Sequence, residues 1–233
     1  MNLMSIARAA LPLTLAAWGG AAAAANPVCL SCKTQDHILD WAYMGDPVPG
    51  AKWSRTSKVV EAARSVNHSL NCIFCHDPHG AQPRIIRDGL IQALTRPEKD
   101  TLWHKDPKAG KVDVKDLGQR GFTRKIAILD KYDTKLQCGQ CHVEYNCNPG
   151  TELGTGAAIG MTDARTNHFP LKNVNEIGKH YTDLKFRDFK HAITGAMLWK
   201  AQHPDVENYY GSKHQKARVE CSSCHMPKVK DCL

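Results

Sequence analysis

Beyond its first 25 residues, this 233-residue chain has no apolar run long enough to cross a membrane. A crossing needs roughly 20 consecutive apolar residues. Low-complexity tracts are missing, which argues against a long linker, and so is a strong alternating strand pattern, which argues against a sandwich or barrel. Basic residues are not massed. The formal net charge is +8, but the 31 lysines and arginines are scattered, so no nucleic-acid-binding stripe is present. Aliphatic content is modest for a core, and a small chain of that kind buries too little surface to offset its chain entropy. Folding is therefore expected to depend on a cofactor.

The patterns that do occur are short and helical. Val59, Val60, Ala63 and Val66 share one face of a helix expected over 57–66, with Ser57 as its N-cap. Similar patterns predict helices over 85–94, 123–131 and 188–202, joined by Gly/Pro/Asn/Asp-rich loops such as 46–50 and 146–160. The fold class expected is mainly α, loop-rich, with little or no sheet.

The N-terminus has three parts: Met1 to Arg8 with one positive charge, an apolar stretch from Ala9 to Trp18, and small residues ending at Ala25. That is the layout of a secretory signal peptide. The apolar part is too short for a transmembrane anchor. Two segments follow: a signal peptide over 1–25 and a mature domain over 26–233, exported to the periplasm.

Ten cysteines is high usage. Disulfides are the first expectation for an exported chain, but eight of the ten fall in pairs with two residues between. Cys147 and Cys232 are left over, and these two are candidates for a disulfide. Three pairs read Cys72-Ile-Phe-Cys75-His76, Cys138-Gly-Gln-Cys141-His142 and Cys221-Ser-Ser-Cys224-His225. This is the spacing of c-type haem attachment, in which two thiols form thioethers to the porphyrin and the next histidine ligates the iron. Zinc also binds paired cysteines, yet three such motifs with the adjacent histidine in an exported chain favour haem.

The remaining pair reads Cys29-Leu-Ser-Cys32-Lys33. The bland reading is a cysteine pair beside a surface lysine. The alternative is a fourth haem whose proximal ligand is the Lys33 amine. That amine ordinarily titrates near 10.4, so iron would have to displace its proton. Four haems give about fifty mature residues each, and their propionates would offset most of the positive charge.

Together the residues resemble a known family, the ammonia-forming cytochrome c nitrite reductases. Three stretches carry the resemblance: the lysine motif at 29–33; Cys138-Gly-Gln-Cys141-His142-Val143-Glu144-Tyr145; and Leu198-Trp-Lys200-Ala-Gln202-His203-Pro204 with His214 and Cys221-Ser-Ser-Cys224-His225-Met226-Pro227-Lys228. The resemblance implies six-electron reduction of nitrite to ammonium at the lysine-ligated haem. It implies that Tyr145 and His203 form the distal pair that hydrogen-bonds substrate and delivers protons. It also implies calcium beside that haem, held by the Glu144 carboxylate, the Tyr145 and Lys200 carbonyls and the Gln202 side-chain oxygen, an all-oxygen set suited to a hard cation. His214 matches the distal ligand of a further haem. The electron donor implied is a quinol-oxidising membrane cytochrome or a soluble multihaem protein.

The chain also departs from that family. No segment before Cys29 supplies the family's catalytic arginine or a distal histidine, and no fifth attachment motif follows His225. A shortened reductase and a true four-haem relative both remain open, as does a tetrahaem electron carrier without turnover. His37, His68, His79, His104, His168, His180 and His191 are candidates for vacant distal positions. The family's dimer helices have no counterpart, which leaves self-association open.

Overall fold

A computed structural model describes residues 26–118 and 121–226. The signal peptide and Cys232, with its suggested bridge to Cys147, lie outside the described residues. The helices are short: α1 (His37–Asp40), α2 (Val59–Arg64), α3 (Cys72–Cys75), α4 (Asp88–Thr95), α5 (Leu102–Lys105), α6 (Thr134–Cys138), α7 (Val174–Asp183), α8 (Asp205–Tyr209), α9 (Lys213–Lys216) and α10 (Cys221–His225). A 3-10 helix, Pro27–Cys32, opens the domain. The strands are β1 (Arg84–Ile85), β2 (Val112–Asp116), β3 (Lys125–Leu129), β4 (Thr151–Glu152), β5 (Phe186–Arg187), β6 (Phe189–Lys190) and β7 (Met197–Leu198).

The loop-rich expectation holds, but there is more sheet than the little or none expected. One antiparallel sheet runs β1-β3-β2, and two further pairs join β4 to β5 and β6 to β7. The helix expected over 123–131 is strand β3. Its Lys-Ile-Ala-Ile-Leu run alternates β-branched residues with Ala127 and Leu129, which are buried, and a pleated surface suits such residues. The helix expected over 188–202 is the β6–β7 hairpin, turned by Gly195 at φ 70°, a left-handed conformation that glycine adopts without strain. The helix expected over 57–66 forms only at 59–64. Lys58 rather than Ser57 is its N-cap, and it buries Ala62 while Val60 is exposed.

The main core packs α4 against this sheet. Leu90, Ile91 and Leu94 of α4 meet Ile85, Ala127 and Leu129. Each leucine or isoleucine there contributes roughly 1.5–3 kcal/mol when fully buried. A second cluster forms where Ile177 and Tyr181, one turn apart on α7, meet Phe186 and Ile159. Asn173 caps α7, its side chain accepting from Asn175 N at 3.0 Å.

Candidate functional site: a thiol-lined cavity

Each cysteine pair lies in or beside a short capped turn. Asn26 Oδ1 accepts from Val28 N, and Asn71 Oδ1 accepts from Ile73 N at 3.1 Å. Asp133 Oδ1 accepts from Lys135 N at 2.9 Å, and Glu220 forms a capping box with Ser223. The caps satisfy N–H groups that a helix start leaves open. In the second and third motifs the histidine N–H closes an α-type turn onto the first cysteine carbonyl: His76 onto Cys72 at 2.9 Å and His142 onto Cys138 at 2.8 Å. In the first motif Lys33 N–H instead reaches Leu30, three residues back, at 2.8 Å.

The first three of these turns meet at a cavity of about 440 Å³. Cys29, Cys32 and Lys33 line it from one side, and Cys138, Cys141 and His142 from another. Cys75 and Phe74 of the second motif, Tyr145 and His203 line it as well. The structure thus joins the first and third motifs with the distal pair named from sequence. Tyr145 and His203 lie nearly parallel, 17° between planes, with ring centroids 5.8 Å apart. Burial pushes the Tyr145 phenol above its ordinary range, so it keeps its proton.

The remaining predicted haem residues lie elsewhere. Cys72 and His76 are exposed, with His76 Nδ1 3.0 Å from the Ala81 carbonyl. Cys221, Cys224 and His225 form α10, which packs on α6. His214 stands exposed on α9. None of these lines the central cavity.

The thiols of the first and third motifs sit in different fields. The Cys29 thiol is lowered to about 7 by a hydrogen bond from Cys147 and, against burial, by Arg87. The two sulfurs are 2.9 Å apart. The Cys32 thiol is lowered to about 6 by a hydrogen bond from Cys141, aided by Arg87. Burial pushes Cys138 up to about 11, and the contact with Cys32 pushes Cys141 up. Arg87 is buried in a pair with Asp88 at 2.6 Å. Gln140, inside the third motif and fully buried, accepts from Ile86 N at 2.8 Å through Oε1 and so ties that motif to the start of α4.

Behind Tyr145 lies the group of residues implied for calcium. Glu144 is fully buried; its Oε1 accepts from the Tyr181 hydroxyl at 2.9 Å and its Oε2 from Gln202 N at 2.7 Å. Glu207 Oε1 accepts from Glu144 N at 3.1 Å, and Glu207 Oε2 is buried without a partner. Burial raises Glu144 to about 7 and Glu207 to about 8. Lys200 N donates to Asp188 Oδ2 at 2.8 Å. Among the described residues, no three His, Cys, Asp or Glu side chains form a metal-holding group. A cation here would draw on Glu144 and main-chain oxygens, and an unpartnered carboxylate oxygen in an acidic, buried setting fits a hard cation.

The candidate distal histidines separate clearly. His37 is buried with both ring nitrogens unpartnered, in a pocket of about 30 Å³ beside Thr34, Phe74 and Arg87, enough for one water. His68 pairs with Asp36 at 3.1 Å, and His104 sits between Thr101 and the Leu94 carbonyl. His191 accepts from Thr194 N at the hairpin tip. His79 lies with His68 on a groove of about 1,020 Å³ behind α3. His168 and His180 meet Nε2 to Nε2 at 2.7 Å. Sequence reasoning missed Arg87, Tyr181, Asp205 and Glu207, whose roles arise from contacts between segments far apart in the chain.

A family model described as cytochrome c552 matches residues 14–232. The chain is 31% identical over 206 residues to cytochrome c-552 of Haemophilus influenzae, covering 81% of this chain and 34% of that protein. It is 28% identical to the cytochrome c-552 of Haemophilus ducreyi, over 82% of this chain and 34% of the relative. The cytochrome c-552 of Parabacteroides distasonis is also 28% identical, over 85% and 32% respectively. The chain thus spans about a third of the length of these curated relatives. With paired thiols gathered around one cavity and this match along nearly its whole length, the chain belongs to the cytochrome c552 family, whose members bind haem covalently.

Proposed function

We propose that this protein is a periplasmic multihaem cytochrome, with one haem on each of its four cysteine pairs, that reduces nitrite to ammonium at the haem held by Cys29, Cys32 and Lys33. One observation carries the reading: Lys33, Tyr145 and His203 line a single cavity together with the first cysteine pair. Haem, when bound, would supply the iron at which nitrite is reduced and relay electrons to it from the electron donor. The protein's part is to hold it and to manage charge and protons. Cys29 and Cys32 anchor one edge, and Lys33 offers an amine in place of the imidazole used by the other motifs. The Lys33 ammonium must first give up a proton.

Tyr145 and His203 are the groups positioned to meet substrate. The phenol holds its proton at neutral pH and can donate a hydrogen bond to an anionic oxygen. An imidazole can accept a proton at one ring nitrogen and donate from the other, and so pass protons inward from solvent, and His203 is exposed. The Glu144 group braces this wall. Calcium, bound by Glu144 with the Tyr145 and Lys200 carbonyls and the Gln202 side chain, would offset the burial that drives Glu144 and Glu207 toward their neutral forms. The electron donor is a quinol-oxidising membrane cytochrome or a soluble multihaem protein.

The rival reading is a four-haem electron carrier without turnover, in which every iron is six-coordinate. The test is a nitrite assay with dithionite-reduced viologen on the haem-loaded protein, beside a pyridine haemochrome count. Ammonium formation with one five-coordinate haem supports the reductase. Six-coordinate spectra throughout, with no nitrite consumed, establish the carrier.

A further inference from the structure

The carboxylate of Asp205 lies 2.9 Å from His142 Nδ1. We propose that Asp205 is a positioning residue that fixes the ring of His142 and lowers the reduction potential of the haem attached at Cys138 and Cys141. The proposal goes beyond the nitrite reading. It rests on haem attachment at the third motif and is independent of which substrate is reduced.

An ionised carboxylate can only accept, so Nδ1 carries the proton and Nε2 is left as the iron-facing nitrogen. His142 lines the central cavity. A carboxylate on the far nitrogen sets the tautomer, orients the ring and makes the imidazole a stronger donor to the metal. A stronger donor stabilises the oxidised iron, which lowers the potential. Both side chains are more than half exposed, at 61% and 63%, and ion pairs of that exposure add little to stability. The consequence of the contact therefore falls on the ligand rather than on the fold.

Asp205 is held for this task. It is the first residue of α8, and the segment around it grips the third motif repeatedly. Val206 N donates to the His142 carbonyl at 3.0 Å. Gln202 N and Glu207 Oε1 both bond Glu144, two residues after His142. The second motif provides an internal contrast. His76 Nδ1 faces the Ala81 carbonyl at 3.0 Å, a neutral acceptor. The two proximal imidazoles thus carry different partners, charged at His142 and uncharged at His76.

The experiment uses the full, haem-loaded protein with Asp205→Ala, Asp205→Asn and Asp205→Glu. Potentials are followed by redox titration with low-spin EPR signals, and the component belonging to the third motif is identified as the one altered by His142→Met. The expected result is a rise in that component's potential in the alanine variant and a smaller rise with asparagine. Glutamate should return it toward the wild-type value, and the other components should stay in place. Should the alanine variant lose the haem, the asparagine and glutamate variants decide. An unmoved potential and unmoved g-values in the asparagine variant, with its glutamate counterpart identical, overturn the proposal. A uniform shift of all components does the same. A haem-peptide map lacking haem at Cys138 and Cys141 also overturns it. Absent nitrite turnover in a wild type that shows the Asp205 shift would count against the reductase reading alone.

Discussion

The first and third attachment turns face one cavity but are built differently. The first is a 3-10 turn with sulfur and guanidinium around it: Cys147 on Cys29, Cys141 on Cys32, and Arg87 close to both Cys29 and Cys32. The third is an α-type turn held by oxygen and nitrogen contacts: Gln140 to α4, Asp205 and Val206 to His142, Gln202 and Glu207 to Glu144. Hydrogen bonds from Cys147 and Cys141, aided by the buried Arg87 cation, favour thiolate at the first pair, while burial raises Cys138 and the contact with Cys32 raises Cys141 in the third. The contrast suits a site in which one motif presents an unusual ligand and the other supplies a rigid wall.

The largest effect should come from breaking the first turn's chemistry. Lys33→Ala is expected to abolish nitrite turnover while the three histidine-ligated haems remain, as read by ammonium assay and haemochrome count. Persisting activity would move the catalytic haem elsewhere. Next in size is the third turn's brace. Glu144→Ala removes the acceptor for both the Tyr181 hydroxyl and Gln202 N. The buried Tyr181 hydroxyl left without a partner costs about 1–3 kcal/mol, and the half-buried Gln202 N–H, which water can reach, costs less. The denaturant midpoint of the haem-loaded protein should drop accordingly, and Glu144→Gln, which keeps one acceptor oxygen, should lose less. Equal losses in the two variants would mean that the contact geometry matters less than the charge.

Much of this contrast was legible in the chain, and the reasons for the rest are specific. Cysteine spacing picked out four short turns, three of which the structure brings to one cavity, because a covalent bridge to one rigid group would force such a local pattern. Tyr145 and His203 were identified through the resemblance, and the structure places them around one cavity with Lys33. Strand β3 was misread as helix because five residues of Lys-Ile-Ala-Ile-Leu fit either period, and its pairing with β2 and β1 is decided by residues some way off in sequence. Arg87 and Asp205 gave no local signal. Arg87 reads as one more surface cation until α4 carries it under both cysteine pairs. Asp205 reads as the ordinary start of a helix until its partner 63 residues earlier is seen.

The third turn's wall has a further brace that should respond to pH. Asn146 and His168 exchange backbone hydrogen bonds at 2.8 and 3.0 Å, and His168 in turn meets His180. The ring centroids are 5.0 Å apart with planes 13° from parallel. With Nε2 atoms at 2.7 Å, the rings lie end to end, one donating and one accepting. Doubly protonated rings could not keep that bond. Burial, with Arg96 and Lys172 nearby, lowers both imidazoles, His180 to about 4, while Asp100 and Asp183 oppose the shift at His180. The folded state therefore prefers neutral rings. Their contribution is complete above the ordinary pKa near 6.5 and is lost as pH falls from there toward 4. Between pH 7 and pH 5 the haem-loaded protein should lose roughly 1–2 kcal/mol after discounting for partial exposure. His180→Gln should flatten that dependence, and an unchanged pH profile in the variant would remove the pair from the brace.

The smallest effect is expected where the two turns touch. Cys147 follows Tyr145 by two residues, on the third turn's side, yet its sulfur rests on Cys29 of the first. It is buried with Val28 and Trp41, so a hydroxyl in its place can keep the contact at little steric cost. Cys147→Ser should leave haem content at the wild-type level and shift the thermal midpoint only slightly. That outcome makes Cys147 a spacer between two differently built turns. A loss of one haem per chain would have a sharper meaning, because the thiol that matters at the first turn would then be Cys147 as well as its neighbours. The sulfur-rich character of that turn would belong to the attachment chemistry itself.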